Sequence, residues 1–165
     1  MALAPAITDL EQLKGHPAVA RLLAWNPPAI TGVKFDREEM TISLTPENLR
    51  EACALLRDDA ECAFNYLSDI TCVDWYPAEP RFEVVYHLLS ISKKERVRLK
   101  VWVESASPAI DSLTPLWPGA NYFEREVFDL FGIRFVGHPY MRRLLMPEDW
   151  EGHPLRKDYP VEGYR

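Results

Sequence analysis

Cysteine is scarce. Three occur, Cys53, Cys62 and Cys72, and no two stand as a Cys-x-x-Cys pair. A four-thiolate zinc or iron–sulfur site needs one more. These three sit in apolar stretches, where the expected form is a small buried thiol in a reducing compartment. Long hydrophobic runs are missing too. Nothing approaches the roughly 20 apolar residues of a membrane-spanning helix, and the N-terminus lacks the basic and apolar segments of a secretory leader. Attachment to a membrane is therefore expected to run through a partner. No Gly-x-Gly-x-x-Gly or Walker-type loop occurs among the seven glycines, so no phosphate cradle is expected. Positive charge is not in excess: 19 Lys and Arg stand against 25 Asp and Glu, a net −6, which argues against nucleic acid or anionic lipid as a partner.

What is present suits one folded domain. The chain has 165 residues, of which 47% are hydrophobic and 12% aromatic, with 14 prolines. The charge is unevenly placed. From His138 to Arg165 five basic residues balance five acidic ones, so the preceding part carries the whole negative excess.

Thr8 and Glu11 have the spacing of a capping box and predict a leucine-rich helix. Pro17 opens a second helical piece that Pro27-Pro28 stops near Trp25. Ile30 to Phe35 and Met40 to Leu44 read as strands of a hairpin joined by Asp36-Arg37-Glu38-Glu39. Thr45-Pro46 reads as the start of a helix whose buried face carries Leu49, Ala52, Cys53 and Leu56. Three strands follow. Phe64 to Trp75 is long enough to be bent or bulged. Phe82 to Leu89 turns Phe82, Val84, Tyr86 and Leu88 one way, with Glu83 and His87 on the other side. In Val97 to Val103, Val97, Leu99, Val101 and Val103 face in, and Arg98, Lys100 and Trp102 face out. The Ser92-Lys93-Lys94 loop predicts an antiparallel hairpin. Pro108 to Trp117 reads as short helical turns. Asn121 and Glu124 suggest a second capping box, and Gly132 a left-handed C-terminal cap. The expected fold class is α+β: an antiparallel or mixed sheet of four to five strands packed on helices, with a long irregular C-terminal arm. Residues 1–135 form the expected core domain and residues 136–165 the arm.

At 100° per residue, Phe123, Val127, Leu130 and Phe131 share the core face of the helix from 121 to 131. Glu124, Arg125, Glu126 and Asp129 fall on the remainder. There they serve either as a solvated face with Arg125–Asp129 pairing at i,i+4 or as a general acid/base set. Phe128 falls on the polar side, as a single exposed apolar residue or a contact for another chain. The arm has no period of its own, yet it is rich in Tyr, Trp, Met, Leu and Arg. Disordered tails lack such residues, whereas interface cores favour Tyr, Trp, Met and Arg. Fully extended, 28 residues reach roughly 90 Å. The expected role is therefore to lie on another protein, with arginines free to pair with carboxylates. On that reading, removal of the arm leaves the domain's melting temperature little changed. The competing possibility is an arm folded back over the outer side of the sheet near Trp102. His138 and His153, with Asp149 and Asp158 nearby, lack metal-ligand spacing and read as backbone-bonded or ring-stacked residues.

The strings Glu124-Arg125-Glu126-Val127-Phe128-Asp129-Leu130-Phe131-Gly132-Ile133, His138-Pro139 and Arg142-Arg143-Leu144-Leu145 together resemble the signature of the thirty-kilodalton (or C) subunit of respiratory complex I. Pro147-Glu148-Asp149-Trp150-Glu151-Gly152-His153-Pro154-Leu155-Arg156-Lys157-Asp158-Tyr159-Pro160 continues the likeness. Asn65-Tyr66-Leu67, Val73-Asp74-Trp75 and Val85-Tyr86-His87-Leu88 extend it back to about residue 60. The resemblance implies a non-catalytic subunit in the quinone-reducing module of a proton-translocating NADH:quinone oxidoreductase. Its neighbours would be the forty-nine-kilodalton (D-type) subunit, which the arm wraps, and other peripheral-arm subunits. It would sit on the cytoplasmic face of the membrane through those partners. It implies no cofactor in this chain; NADH, FMN, iron–sulfur clusters and quinone belong to the assembled complex. Glu124, Arg125, Glu126, Phe128, Asp129, His138, Arg142, Arg143, Trp150, His153, Arg156, Asp158 and Tyr159 carry the signature and are the expected interface. Similar domains occur in the photosynthetic NDH complex, F420H2 dehydrogenases and membrane-bound hydrogenases, where the electron donor differs. The alternative of another class is a self-standing acid/base enzyme using Glu124, Glu126, His138 and Asp149.

Overall fold

The alternating runs pair into one sheet. The structure is a computed structural model that describes residues 5–164; residues 1–4 and 165, the outer ends of the two expected segments, lie outside the described residues. Strands β1 (Ile30–Asp36) and β2 (Glu39–Leu44) form the hairpin. Arg37 and Glu38 supply its turn with φ of 52° and 65°, the double positive φ of a two-residue turn. β3 (Tyr66–Asp74), β4 (Phe82–Ser90) and β5 (Glu95–Val103) are antiparallel neighbours. β5 then lies parallel to β2, giving a mixed five-stranded sheet in the order β1-β2-β5-β4-β3. β3 starts two residues later than expected and is bulged between Leu67 and Asp69.

One sheet face is apolar and buried. Ile42, Leu44, Cys72, Phe82, Val84, Tyr86, Leu88, Leu99 and Val101 belong to it. Helices α2 (Pro17–Trp25), α3 (Leu49–Asp58) and α4 (Ala120–Phe131) contribute Leu22, Leu56 and Val127 to the same core. The outward set, including Arg98, Lys100 and Trp102, stays partly exposed.

Four local expectations are corrected. Thr8 is not the first cap: α1 (Leu10–Leu13) starts one residue later on Asp9, whose carboxylate accepts from the Glu11 amide at 3.0 Å. Pro46 opens a short 3-10 turn (Pro46–Asn48) rather than α3 itself, and Asn48 holds that turn by donating to Thr45 Oγ1. Pro108 to Trp117 begins with β6 (Ala109–Asp111). This strand pairs in parallel with β7 (Arg134–Val136), because the chain leaving α4 offers it backbone partners and sets Ile110 beside Phe135. Asn121 and Glu124 do not make a capping box. α4 already begins at Ala120, and the Glu124 carboxylate is spent on the neighbouring loop.

Beyond Val136 the described residues form no helix or strand. The arm nevertheless folds back on its own domain. It runs along α4 and reaches the end of β3, and it leaves Trp102 beside an open groove.

Candidate functional site

Asp129 is the hub of the arm. Its side chain is 0% exposed, yet it carries charge. Burial alone would push its pKa up. The amides of Met146, Leu145 and Leu144 and the Arg143 guanidinium outweigh that and hold it below the ordinary carboxylate value. The three amides donate to Oδ2 at 2.7–2.9 Å, and Arg143 Nη1 donates to Oδ1 at 2.6 Å. Arg143 also donates to the carbonyls of Trp150 (2.8 Å) and Gly152 (3.0 Å), so one guanidinium ties two stretches of arm to the helix. From the other side, Arg125 donates to the carbonyls of Arg142 and Arg143 at 3.1 and 2.9 Å.

The arm also finishes α4. A helix leaves its last four carbonyls without intrahelical donors. Here Gly132 N donates to Phe128 O, His153 Nδ1 and Arg143 to Asp129 O, Leu155 N to Leu130 O and Arg156 Nε to Phe131 O. Two of these donors are arginines, which suits the negative end of the helix dipole. The close approach needs Gly132. It lies at φ +76°, and a Cβ there would stand 2.5 Å from Arg156 Nη2 and His153 Cδ2.

A second anchor lies at the end of β3. Arg81 donates Nε and Nη2 to the Asp74 carboxylate, both at 2.8 Å, and Nη1 and Nη2 to Asp158 of the arm at 3.0 and 2.7 Å. The Asp74 side chain is 1% exposed; burial opposes its charge, but Arg81 and the amides of Lys157 and Tyr76 lower its pKa to about 2. The Arg81 and Arg156 guanidiniums both lie near the buried Phe82 ring, at 4.9 and 5.2 Å from its centroid.

Asp74, Arg81, α4 and the arm all lie within the part of the chain that a family model covers. Residues 42–165 match the family described as the respiratory-chain NADH dehydrogenase, 30 Kd subunit. The chain belongs to that family. Curated relatives include the NADH-quinone oxidoreductase C subunit of Roseiflexus sp. (strain RS-1), 53% identical over 149 residues and covering 90% of this chain and 86% of the relative. The corresponding C subunit of Citrifermentans bemidjiense is 50% identical, covering 77% of this chain and 78% of the relative. Among solved structures, a trypsin-resistant fragment (1–134) of Nqo5 is 35% identical with a TM-score of 0.54, covering 62% of this chain and 82% of that one. A chain of the membrane-bound sulfane sulfur reductase, an archaeal respiratory membrane complex, is 26% identical with a TM-score of 0.76, covering 90% and 86%. As a family member this chain is a subunit of a respiratory NADH dehydrogenase complex. Among its described residues no helix is long and apolar enough to cross a membrane.

In this family member the signature residues separate into inner and outer groups. Asp129, Arg143, His153, Arg156 and Asp158 join arm to core. His138 Nδ1 accepts from Tyr140 N (3.0 Å), which leaves Nε2 to donate to Asn121 O (3.2 Å). Phe128 is half-buried with the His153 ring edge-on to it at 6.4 Å, so the arm itself covers that side of α4. The expected Arg125–Asp129 pair does not form, because Asp129 is taken by Arg143 and the arm amides. Arg142 and Arg143 differ: Arg142 is exposed, stacks on Tyr140 at 4.8 Å and stands 3.6 Å from Glu148. Glu126 is exposed. Trp150 has an exposed side chain, and Tyr159 donates to Glu151 O at 3.3 Å.

Sequence reasoning passed over Arg81 and set Glu124 on a wet face. Glu124 is fully buried and accepts from Ser112 Oγ and Leu113 N, both at 2.6 Å. Burial raises its pKa from 4.5 to about 7 against those two donors. The folded chain thus keeps a proton that the unfolded chain loses near pH 4.5. The resulting stability is complete below that pH and is lost as pH rises to about 7, an expected fall of about 3 kcal/mol. In urea unfolding from pH 4 to 8 the natural chain should lose about that much stability relative to Glu124→Gln, since the other titrating groups are common to both. Equal slopes in both would contradict the assignment.

Proposed function

We propose that this chain is a non-catalytic structural subunit of the quinone-reducing module of a proton-translocating NADH:quinone oxidoreductase, docking the forty-nine-kilodalton subunit through the outward side of its arm. One observation carries the reading. The arm turns several amides, Arg143 and Arg156 inward on α4 and β3, while Tyr140, Leu145, Trp150, Leu155, Val161 and Tyr164 stay exposed. A segment folded only for its own domain would turn such side chains inward. Exposed aromatics and leucines on an immobilised scaffold are suited to bind a partner at low entropic cost.

In this reading the chain carries no cofactor; NADH, FMN, clusters and quinone are held by its partners. Its three cysteines are buried, and burial pushes the Cys62 thiol up to about 12, so they offer poor thiolate ligands. The chain is peripheral, held at the cytoplasmic face of the membrane by its neighbours. Relatives named as NADH-quinone oxidoreductase C subunits at 50–53% identity favour NADH as donor over the photosynthetic, F420H2 or hydrogenase assemblies. The self-standing acid/base enzyme finds little support. Glu124 is inside, Glu126 is exposed, His138 is bonded to backbone, and Asp149 lines a separate hollow beside Trp150 and Tyr164.

The test replaces Leu145, Trp150 and Leu155 together by serine. The variant is expected to melt within a few degrees of the natural chain, since these side chains are exposed, and to lose co-purification of the forty-nine-kilodalton partner by tenfold or more, roughly 1.4 kcal/mol. Full retention of that partner would exclude this surface.

A further inference from the structure

The face of the sheet opposite α4 carries a second surface. At one end of the sheet a cavity of about 420 Å³ runs from Thr31 at the start of β1, past Thr45 and Pro46 beyond β2, to Trp102 on the outer side of β5 and Trp75 just beyond β3. Its lining comes from β1, β2, β5 and the turn between β3 and β4. The two indole rings stand 6.1 Å apart and tilted by 42°, and Trp75 is 47% exposed. Pro46 and Pro80 stiffen the walls.

The charged side chains that line this groove and its adjoining hollow are acidic. Among the described residues no lysine or arginine lines it, and Glu79 does. Glu79 also borders an adjoining hollow with Glu104, and both glutamates are exposed. Ser105 donates its amide and hydroxyl to Glu79, fixing that carboxylate in place and holding its pKa below the ordinary value. Tryptophan faces accept proline rings, aliphatic groups and cations. A fixed carboxylate beside them selects a basic residue over an acidic one. A second copy of this chain, at net −6, is repelled by the same field.

We infer that this groove docks an extended segment of a neighbouring protein. That segment lays proline or aliphatic side chains on Trp75 and Trp102 and sets a lysine or arginine against Glu79 and Glu104. The groove shares no residue with the exposed side of the arm, so the inference does not rest on the docking role given to the arm.

The experiment places a benzophenone amino acid at position 78, which lines the groove, within the full chain in the assembled complex, and maps cross-linked peptides by mass spectrometry. The expected product joins position 78 to a proline- or aliphatic-containing peptide of another subunit with a lysine or arginine alongside. Its yield should fall about tenfold in Trp102→Ser, as for loss of an interface anchor, and severalfold in Glu79→Gln with Glu104→Gln. Trp102→Phe, which keeps an aromatic face, should retain it and controls for folding. Cross-linking to a second copy of this chain, to lipid or to an acidic peptide would overturn the inference. So would protein cross-linking no greater than from an exposed control position.

Discussion

Replacing Asp129 by alanine is expected to lower unfolding free energy by about 3–5 kcal/mol, the cost of removing one partner from a buried ion pair. The reason is the number of groups that depend on this carboxylate. Three consecutive arm amides and the Arg143 guanidinium are left without their acceptor, and Arg143 also holds the carbonyls of Trp150 and Gly152. The arm has one escape, which is to leave α4 and let water satisfy these groups. The loss is therefore capped by the free energy with which the arm docks. Urea unfolding measures the first quantity, and hydrogen exchange at residues 144–146 measures the second, where protection should collapse. A loss under about 1 kcal/mol with protection intact would mean that the carboxylate is incidental.

Ending the chain at Gly137 is expected to lower the melting temperature by about 10 °C, using the usual 2–4 °C per kcal/mol for a chain of this size. Truncation bares the α4 carbonyls at Asp129, Leu130 and Phe131, strips Lys157 N and Asp158 from the Asp74–Arg81 pair, and uncovers Phe128. The two changes act through one event, release of the arm, so they should not add. In the shortened chain Asp129 faces water, and Asp129→Ala should then cost under about 1 kcal/mol. An unaltered melting temperature after truncation would restore the expectation drawn from composition alone, that the arm serves only a partner.

The sheet was legible because period two is a direct record of which side is wet. Phe82, Val84, Tyr86 and Leu88, and Val97, Leu99, Val101 and Val103, are buried as their alternation implies. The parallel join of β2 to β5 was not legible, since pairing between distant strands leaves no local pattern. α4 misled for a physical reason. A helical wheel assumes one buried side, but this helix packs on β3 with one side, presents Glu124 to the Ser112 loop and carries the arm on a third. Its carboxylates therefore fell on a nominally polar arc while being buried. A usable sign did exist at the second anchor. Ile70 and Cys72 place Asp74 at an inward position of β3, and a carboxylate there must find a cation. Arg81, across the β3–β4 turn, was the nearest one. The arm's aromatic and arginine content reads as partner-binding material; composition could not show that Arg143 and Arg156 bind the arm's own domain instead.

The arm is held to have two working sides, and oxidative footprinting of the isolated and assembled states tests that most directly. In the isolated chain, hydroxyl radicals should modify Tyr140, Leu145, Trp150 and Leu155 readily, as exposed side chains. In the assembled complex, the same four should be protected, while Arg143 and His153, already seated against α4, should change little. Equal oxidation of the four residues in the isolated chain and in the complex would contradict the claim.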